Sequence, residues 1–499
     1  LAPSEADPHF HQQMVYAVAM KTIGHFEKAL GRSALWASEF DRQSNTTAFV
    51  RRLRVYPHAL REQNAYYSPA RKSLLFGYFS AQGDDVGDNM PGGTVFTCLS
   101  HDIIAHETTH ALLDGLHSRF REATNPDVLA FHEAFADIVA LFQHFSMPEA
   151  VRAAVAKTRG DLRAASDLGR LAVQFGQGIG RYGALRSAIG EYDAEGVWRA
   201  NPVSRNDYAN AAGSHKRGAV LVSAIFDAYI KIYEKRVAEY MRLATNGTGV
   251  LPPGAIPADL VNVLAAEAAK IAGQVLNICI RALDYCPPVD LSFGEYLRAL
   301  ITADRDVVPD DRRTYRVAFI DACRSRGIYP AGVRNLSIES VCWQGPDVAF
   351  DPAQIRTELL PYIKLTWGIG ADRLEAFMAS RSNAAIFHKW LLDKNRVSED
   401  QIRCLGLNRE HARRVWAVNG RKGKLSGIEV HSLRPSRKVG PDGQSRVDLV
   451  VEITQSWTPD DDKSVKHRGG CTILIGQDGQ LRYVVRKRVA NPQRITDTE

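Results

Sequence analysis

Residues 101 to 137 read HDIIAHETTHALLDGLHSRFREATNPDVLAFHEAFAD, and the spacing of their ionisable residues decides the fold. His106 and His110 stand four residues apart with Glu107 between them, and Glu133 and Asp137 repeat that interval on a second apolar segment. Side chains at i and i+4 leave one face of a helix, so two imidazoles at this spacing can meet one metal ion. Glu107 follows His106 by about 100° around the helix, which sets its carboxylate beside the metal position, where it can hold a water molecule. A catalytic zinc ion takes three protein ligands and keeps a further position for water, so one more donor is needed. Glu133 is the best candidate. It lies on the next helical stretch, Val128 to Phe145, where Leu129, Phe135, Ile138, Val139 and Phe142 give an apolar face. Asp137, one turn further, is placed to accept the spare N–H of His106 or His110 and so fix a tautomer. The alternative is a polar helix face that carries these residues by coincidence. The apolar flanks speak against it, because they would bury ionisable groups without partners.

With these motifs the chain resembles the thermolysin-like zinc metallopeptidases, the gluzincins in which a second glutamate completes the metal site. The resemblance covers about residues 1 to 335. It implies an α+β fold with an antiparallel β-rich N-terminal lobe, central zinc-binding helices and a helical C-terminal lobe. It further implies one zinc ion held by His106, His110 and Glu133, with Glu107 as general base and Asp137 as the partner behind a ligand. Asn64-Ala65-Tyr66-Tyr67 matches the family's cleft strand. There the Asn64 side chain and the Ala65 backbone would bind an extended peptide, as a neighbouring strand does. In IGRYGALRSAIG, residues 179 to 190, Arg186 stands where the family grips a substrate carbonyl, a task suited to a permanently charged, rigid fork. His215, in GSHKRG, takes the place of the second catalytic histidine, which donates to the oxyanion. The supporting aspartate five positions earlier is replaced by Asn210, with Asp207 as a substitute. The implied activity is endopeptidase cleavage of a peptide or protein substrate. Ile103 and Leu185, at positions that line the first primed pocket, imply a bulky apolar residue after the cleaved bond.

The sequence also departs from the family pattern. Arg121 holds the place of the tyrosine that assists the transition state, eleven residues after His110, and His117 is another stand-in. One such donor is commonly worth about 2.7–4 kcal/mol, or 100- to 1000-fold in rate. Of the acidic residues of the family's double calcium site, Asp102 is kept, but His144, Gly176, Gly178 and Arg181 fall where the others belong. Calcium needs six to eight oxygen ligands, so that site is not expected. A second class of function therefore stays open, a catalytically impaired, zinc-stabilised peptide-binding module.

The bulk properties agree with a globular enzyme of more than one domain. The 499 residues are 45% apolar and 24% charged, and a chain this long exceeds a single core. We expect residues 1–116 to form the β-rich lobe ending in the HExxH helix and 117–335 the helical lobe, followed by a linker at 336–354, marked by Gly345-Pro346 and Asp351-Pro352. Mixed helices at 355–418 and a small, basic antiparallel β domain at 419–499 would complete the chain. The seven cysteines are scattered without a CxxC pair, which indicates buried free thiols. No apolar run reads as a membrane span. The first residue is Leu, not Met, which suggests a processed or truncated start and leaves the compartment open, although the family is mostly secreted. The formal net charge is +7, and residues 331–499 carry 27 Lys and Arg against 20 Asp and Glu. The basic Arg482, Arg486, Lys487 and Arg488 read as a solvated face in preference to a nucleic-acid or acidic-surface site. An adaptor docking through that basic region is the third class.

Overall fold

In the computed structural model, residues 1–41, 46–81, 90–163, 190–192, 198–365, 368–409, 416–418, 420–489 and 491 are described. The architecture is α+β. Helix α1 (Pro8–Leu30) starts where the Asp7 side chain accepts from His9 N and ends on Gly31, whose φ of 67° only glycine adopts readily. That residue is also a contact point, since a Cβ on it would lie 2.0 Å from the Arg437 carbonyl oxygen.

The N-terminal strands are β1 (Glu39–Asp41) and β2 (Thr46–Ala48), paired with each other, then β3 (Arg54–Leu60), β4 (Ala65–Ser68), β5 (Ser73–Ser80) and β6 (Thr94–Phe96). The last four make one sheet, which is mixed and not antiparallel as expected. β3 runs parallel to β5, while β4 and β6 are antiparallel to it. The reason is connectivity: β4 follows β3 in sequence but pairs on the far side of β5, so β3 and β5 run the same way.

Helix α2 (His101–Leu116) opens on a Ser100 cap, and α3 (Pro126–Phe145) on an Asn125 cap with proline at its first position. Around them pack α4 (Pro148–Thr158), the single turn α5 (Asp207–Asn210), α6 (Ser214–Ala244), α7 (Ala258–Arg281), α8 (Phe293–Val307) and α9 (Tyr315–Arg324). Strands β7 (Gly190–Tyr192) and β8 (Trp198–Ala200) form a short ladder. By length and composition, α3 and the helical run Ala258–Tyr285 could each cross a membrane, but both lie largely buried in this core.

Residues 336–354, expected as a linker, carry α10 (Ile338–Val341) and bury Val341, Cys342 and Trp343 in the main core. Arg298 stacks 3.7 Å from the Trp343 ring. Helices α11 (Pro352–Glu358), α12 (Arg373–Leu392) and α13 (Glu399–Cys404) follow. The C-terminal sheet has six strands, β9 (Trp416–Val418), β10 (Arg421–Leu425), β11 (Glu429–Val439), β12 (Ser445–Pro459), β13 (His467–Gly476) and β14 (Leu481–Lys487). Its turns at 440–444 and 476–480 close with Gly440 N donating to Gln444 O and Gly476 N to Gln480 O. Strand alternation sets its two faces. Val450, Leu474 and Val485 join the core of the first 343 residues. Leu449, Val451, Ile453, Ile473 and Ile475 pack instead with Ile355, Phe387 and Trp390 of the late helices. The sheet is thus a wall between two cores.

The basic residues of β14 are ion-paired and part-buried where a solvated face was expected, although Arg488, one residue past the strand, is exposed. Arg482 pairs with Asp448 and Asp478, Arg486 with Asp347, and Lys487 with Asp290 and Glu295. All seven cysteines are free and buried.

Candidate metal centre

The α2 and α3 faces meet at five ionisable residues. His106 Nε2 lies 2.9 Å from His110 Nε2, and the Glu133 carboxylate lies 3.6 Å from the first and 3.8 Å from the second. Behind them His106 Nδ1 lies 2.9 Å from Asp137 Oδ1. Three ligands at zinc distances of about 2.0–2.2 Å on a tetrahedral ion stand about 3.4 Å apart, so the two glutamate edges are near that value and the His106–His110 pair opens by about 0.5 Å on binding. His106 and Glu107 are each 1% exposed, and His110 is 8%.

Glu107 supplies the test of fit. Its Oε2 accepts from Tyr67 N at 2.7 Å, while its Oε1 is buried without a hydrogen-bond partner among the described residues. An orphaned carboxylate oxygen is costly unless a water or cation meets it. His106, Glu107 and His110 bring one donor atom each within 4.8 Å of one another, and two imidazoles with a carboxylate suit zinc. The residues present fit the ion.

Electrostatics follow from this crowding. Burial pushes the Glu107 carboxyl up to about 7, with His106 opposing and the charge of Glu133 adding. Burial alone would raise Glu133 too, but His110 and His106 outweigh it and hold it well below the usual carboxylate range. Burial also keeps His110 and His132 neutral, the latter lowered to about 4. His106 goes the other way: burial disfavours its charge, but Asp137 and Glu133 outweigh it.

One participant is absent from the sequence reading. His132 Nδ1 lies 2.7 Å from His110 Nδ1, with the two rings stacked 4.7 Å apart, while its Nε2 is buried without a hydrogen-bond partner among the described residues. When His110 Nε2 serves as a donor to a metal, Nδ1 carries the proton and His132 accepts it. The partner behind the second histidine is therefore another imidazole, and the signal for it was the residue directly before Glu133.

The substrate-side expectations fare unevenly. β4 pairs with β5 along one edge only, and Tyr67 N points to Glu107 from the other. By alternation the Ala65 backbone faces the same way, toward the metal centre. The Asn64 carbonyl accepts from Gly77 N. His215 is the second residue of α6 and interacts electrostatically with Asp137. Asp127 pins that helix start: it pairs with Arg217, and it accepts from Tyr208 OH at 2.5 Å and from Phe293 N at 2.8 Å. Asn210 is exposed at the end of α5, and Asp207 accepts from Ser204 N, so its carboxylate is engaged with its own turn. Arg121 is half exposed, lies 3.8 Å from Asp114, and acts electrostatically on His110.

Two expectations are corrected. His117 is no stand-in donor, because its Nε2 lies 2.9 Å from Leu283 O and its Nδ1 lies 3.0 Å from Glu452, which locks it away from the centre. Ile103 is fully buried, with no surface open to a groove. Arg186 and Leu185, with Gly176, Gly178 and Arg181, lie outside the described residues. Asp102 is held by His101 at 3.1 Å and His144 at 3.0 Å, a setting of nitrogen neighbours where calcium would need oxygens.

The chain matches no protein-family model, no curated protein and no solved structure at a level where likeness carries meaning.

Proposed function

We propose that the chain is a zinc-dependent endopeptidase of thermolysin-like architecture, a gluzincin. The observation that carries this reading is the convergence of His106, His110 and Glu133 around one point, with an oxygen of Glu107 beside it that has no hydrogen-bond partner among the described residues. Zinc bound there supplies Lewis acidity, which polarises the scissile carbonyl and acidifies water. Glu107 takes the proton of the attacking water at Oε1, while Tyr67 N–H steadies Oε2, and passes it to the leaving amine. The raised carboxyl of Glu107 suits a group that both accepts and returns a proton near neutrality. Asp137 and His132 fix the two imidazole tautomers.

The open edge of β4 offers the Ala65 backbone to an extended peptide, with Asn64 beside it. His215 and Arg121 are the donors for charge that develops on the carbonyl oxygen. Arg186 and the preference for a bulky apolar residue after the cleaved bond rest on the sequence resemblance alone.

One observation favours a second reading, a zinc-stabilised peptide-binding module without turnover: Arg121, in the place of a transition-state donor, is drawn toward Asp114. A quenched fluorescent peptide library decides between them. Zinc-loaded protein is expected to cleave it, and both Glu107→Ala and a chelator are expected to abolish cleavage. One bound ion without cleavage above the Glu107→Ala background would leave the binding module standing.

A further inference from the structure

Besides the HExxH centre, two groups among the described residues bring three potential donors within 4.8 Å. In the first, His101, Asp102 and His144, both imidazole Nδ1 atoms are within hydrogen-bond distance of the same Asp102 oxygen, so the cluster closes on itself. The second, His11, His58 and Cys98, is different. His11 comes from α1, His58 from β3, and Cys98 from the turn Thr97–Leu99 that leads into α2.

The tautomers follow from geometry. His11 Nε2 lies 3.0 Å from the Glu5 carbonyl oxygen, which can only accept, so Nε2 carries the proton and Nδ1 presents a lone pair. A backbone carbonyl on the second ring nitrogen is the usual support of a metal-ligating histidine. Nδ1 faces His58 Nε2 at 2.7 Å, with the rings 5.0 Å apart and inclined by 80°. The Phe96 ring, 4.6 Å from His11 and 5.2 Å from His58, walls one side. His11 is 1% exposed and Cys98 is fully buried, while His58 reaches solvent and leaves an entry path.

We propose that His11 Nδ1, His58 Nε2 and Cys98 Sγ form a second transition-metal site, of a thiolate and two imidazoles, for a zinc-class ion whose fourth position opens beside His58. Mixed sulfur and imidazole donors select such ions over calcium or magnesium. A tetrahedral site with metal–nitrogen bonds of about 2.0 Å needs the two nitrogens about 3.3 Å apart, so the pair opens by about 0.6 Å. On binding, the Cys98 S–H bond breaks, a sulfur–metal bond forms, and the proton leaves to solvent. His58 moves its proton to Nδ1, and the His11 tautomer is unchanged. The ion then ties α1, β3 and the entrance of the HExxH helix together.

The test uses the full chain, stripped of metal, under a non-thiol reductant and titrated with cobalt(II). The HExxH donors include no sulfur, so sulfur-to-cobalt charge-transfer absorption in the near ultraviolet reports this site alone. The expected result is two cobalt ions per chain, one of which brings that band. His106→Ala removes one equivalent and keeps the band; Cys98→Ser and His58→Ala each remove the other equivalent and the band. The His58 variant guards against misfolding, because that side chain is exposed, and a thermal melt verifies its fold. Saturation without the band, or a band that survives either variant, overturns the proposal. A single equivalent that carries the band and persists in His106→Ala supports it while sinking the HExxH metal reading.

Discussion

Two buried polar clusters in this molecule use the same residue types to opposite ends. Between the C-terminal sheet and the helical body, opposite charges are matched. Lys438 Nζ lies 2.8 Å from Asp306, 2.7 Å from Asp448 and 2.6 Å from Tyr285 OH, with Arg446 and Arg482 completing the set. Glu452 sits between Arg434 at 2.5 Å and His117 at 3.0 Å, and Arg32 grips Asp284 with two bonds of 2.6 and 2.7 Å. At the HExxH centre Glu107, Glu133 and Asp137 have no Lys or Arg partner among the described residues; their neighbours are histidines. The first cluster is complete as protein, and the second has histidines where the first has lysine and arginine, with no permanent cation paired to its carboxylates among the described residues. That difference separates a structural network from a site poised for a cation.

The largest effect that would sharpen this contrast comes from Glu107→Gln. If the centre is the proposed peptidase site, loss of the Glu107 carboxylate is expected to lower activity on the order of 10²- to 10⁴-fold, while zinc binding by His106, His110 and Glu133 is kept. The metal-free variant should also melt higher than the metal-free parent at neutral pH. Burial raises the Glu107 carboxyl to about 7, so its ionised form weakens the fold increasingly as pH rises from the unfolded value of roughly 4.3 toward that point, and glutamine removes the charge. A lower melting temperature would break the comparison.

Lys438→Met should have the opposite sign. Removing the cation leaves Asp306 and Asp448 only the partly exposed Arg446 and Arg482 as cationic partners, which is expected to cost up to about 3–5 kcal/mol in urea unfolding. Zinc content at the HExxH centre should not change. If the loss were under about 1 kcal/mol, as for an exposed pair, the network would not hold the sheet.

Acid should act on the same network by smaller steps. Burial would raise Asp306 and Glu452, but Lys438 outweighs it for the first and Arg434 for the second, which holds both carboxyls well below the usual range. A depressed carboxyl contributes stability that is complete above its unfolded value of roughly 4 and is lost as pH falls toward the folded one. Melting temperatures measured downward from pH 5 should therefore fall more steeply in the parent than in Lys438→Met. Parallel curves would refute the assignment.

The same contrast explains what could be read in the sequence. The candidate metal centre lies on two helices whose i, i+4 spacing is visible in one dimension, and the structure brings together His106, Glu107, His110, Glu133 and Asp137 as that spacing requires. The helices of the lobe expected at 117–335 were legible for the same reason, as was the antiparallel sheet expected within 419–499. β11 was not. Its EVHSLRPSRKV carries Pro435 and three basic residues and shows no apolar alternation, yet it is an eleven-residue strand that among the described residues pairs only with β12, where an edge position tolerates proline. Its Arg434 and Lys438 are buried because their partners Glu452, Asp448 and Asp306 come from distant segments. Long-range pairing of this kind leaves no local period. It also hides that the sheet, expected as an accessory, shares a core with the first 343 residues.

The smallest effect tests where the two clusters border each other in kind. His132 is uncharged, buried and devoted to one contact, as a structural group would be, but that contact is His110. His132→Phe keeps an aromatic ring stacked on His110 and removes the Nδ1 acceptor. If His132 fixes the tautomer of a metal ligand, zinc affinity should fall about 10- to 100-fold, measured by competition with a chromogenic chelator. Turnover per bound zinc should change little, because Glu107 and the Tyr67 N–H that steadies it are untouched. An unchanged affinity would assign His132 to packing, and the support of His110 would then have to come from elsewhere in the centre.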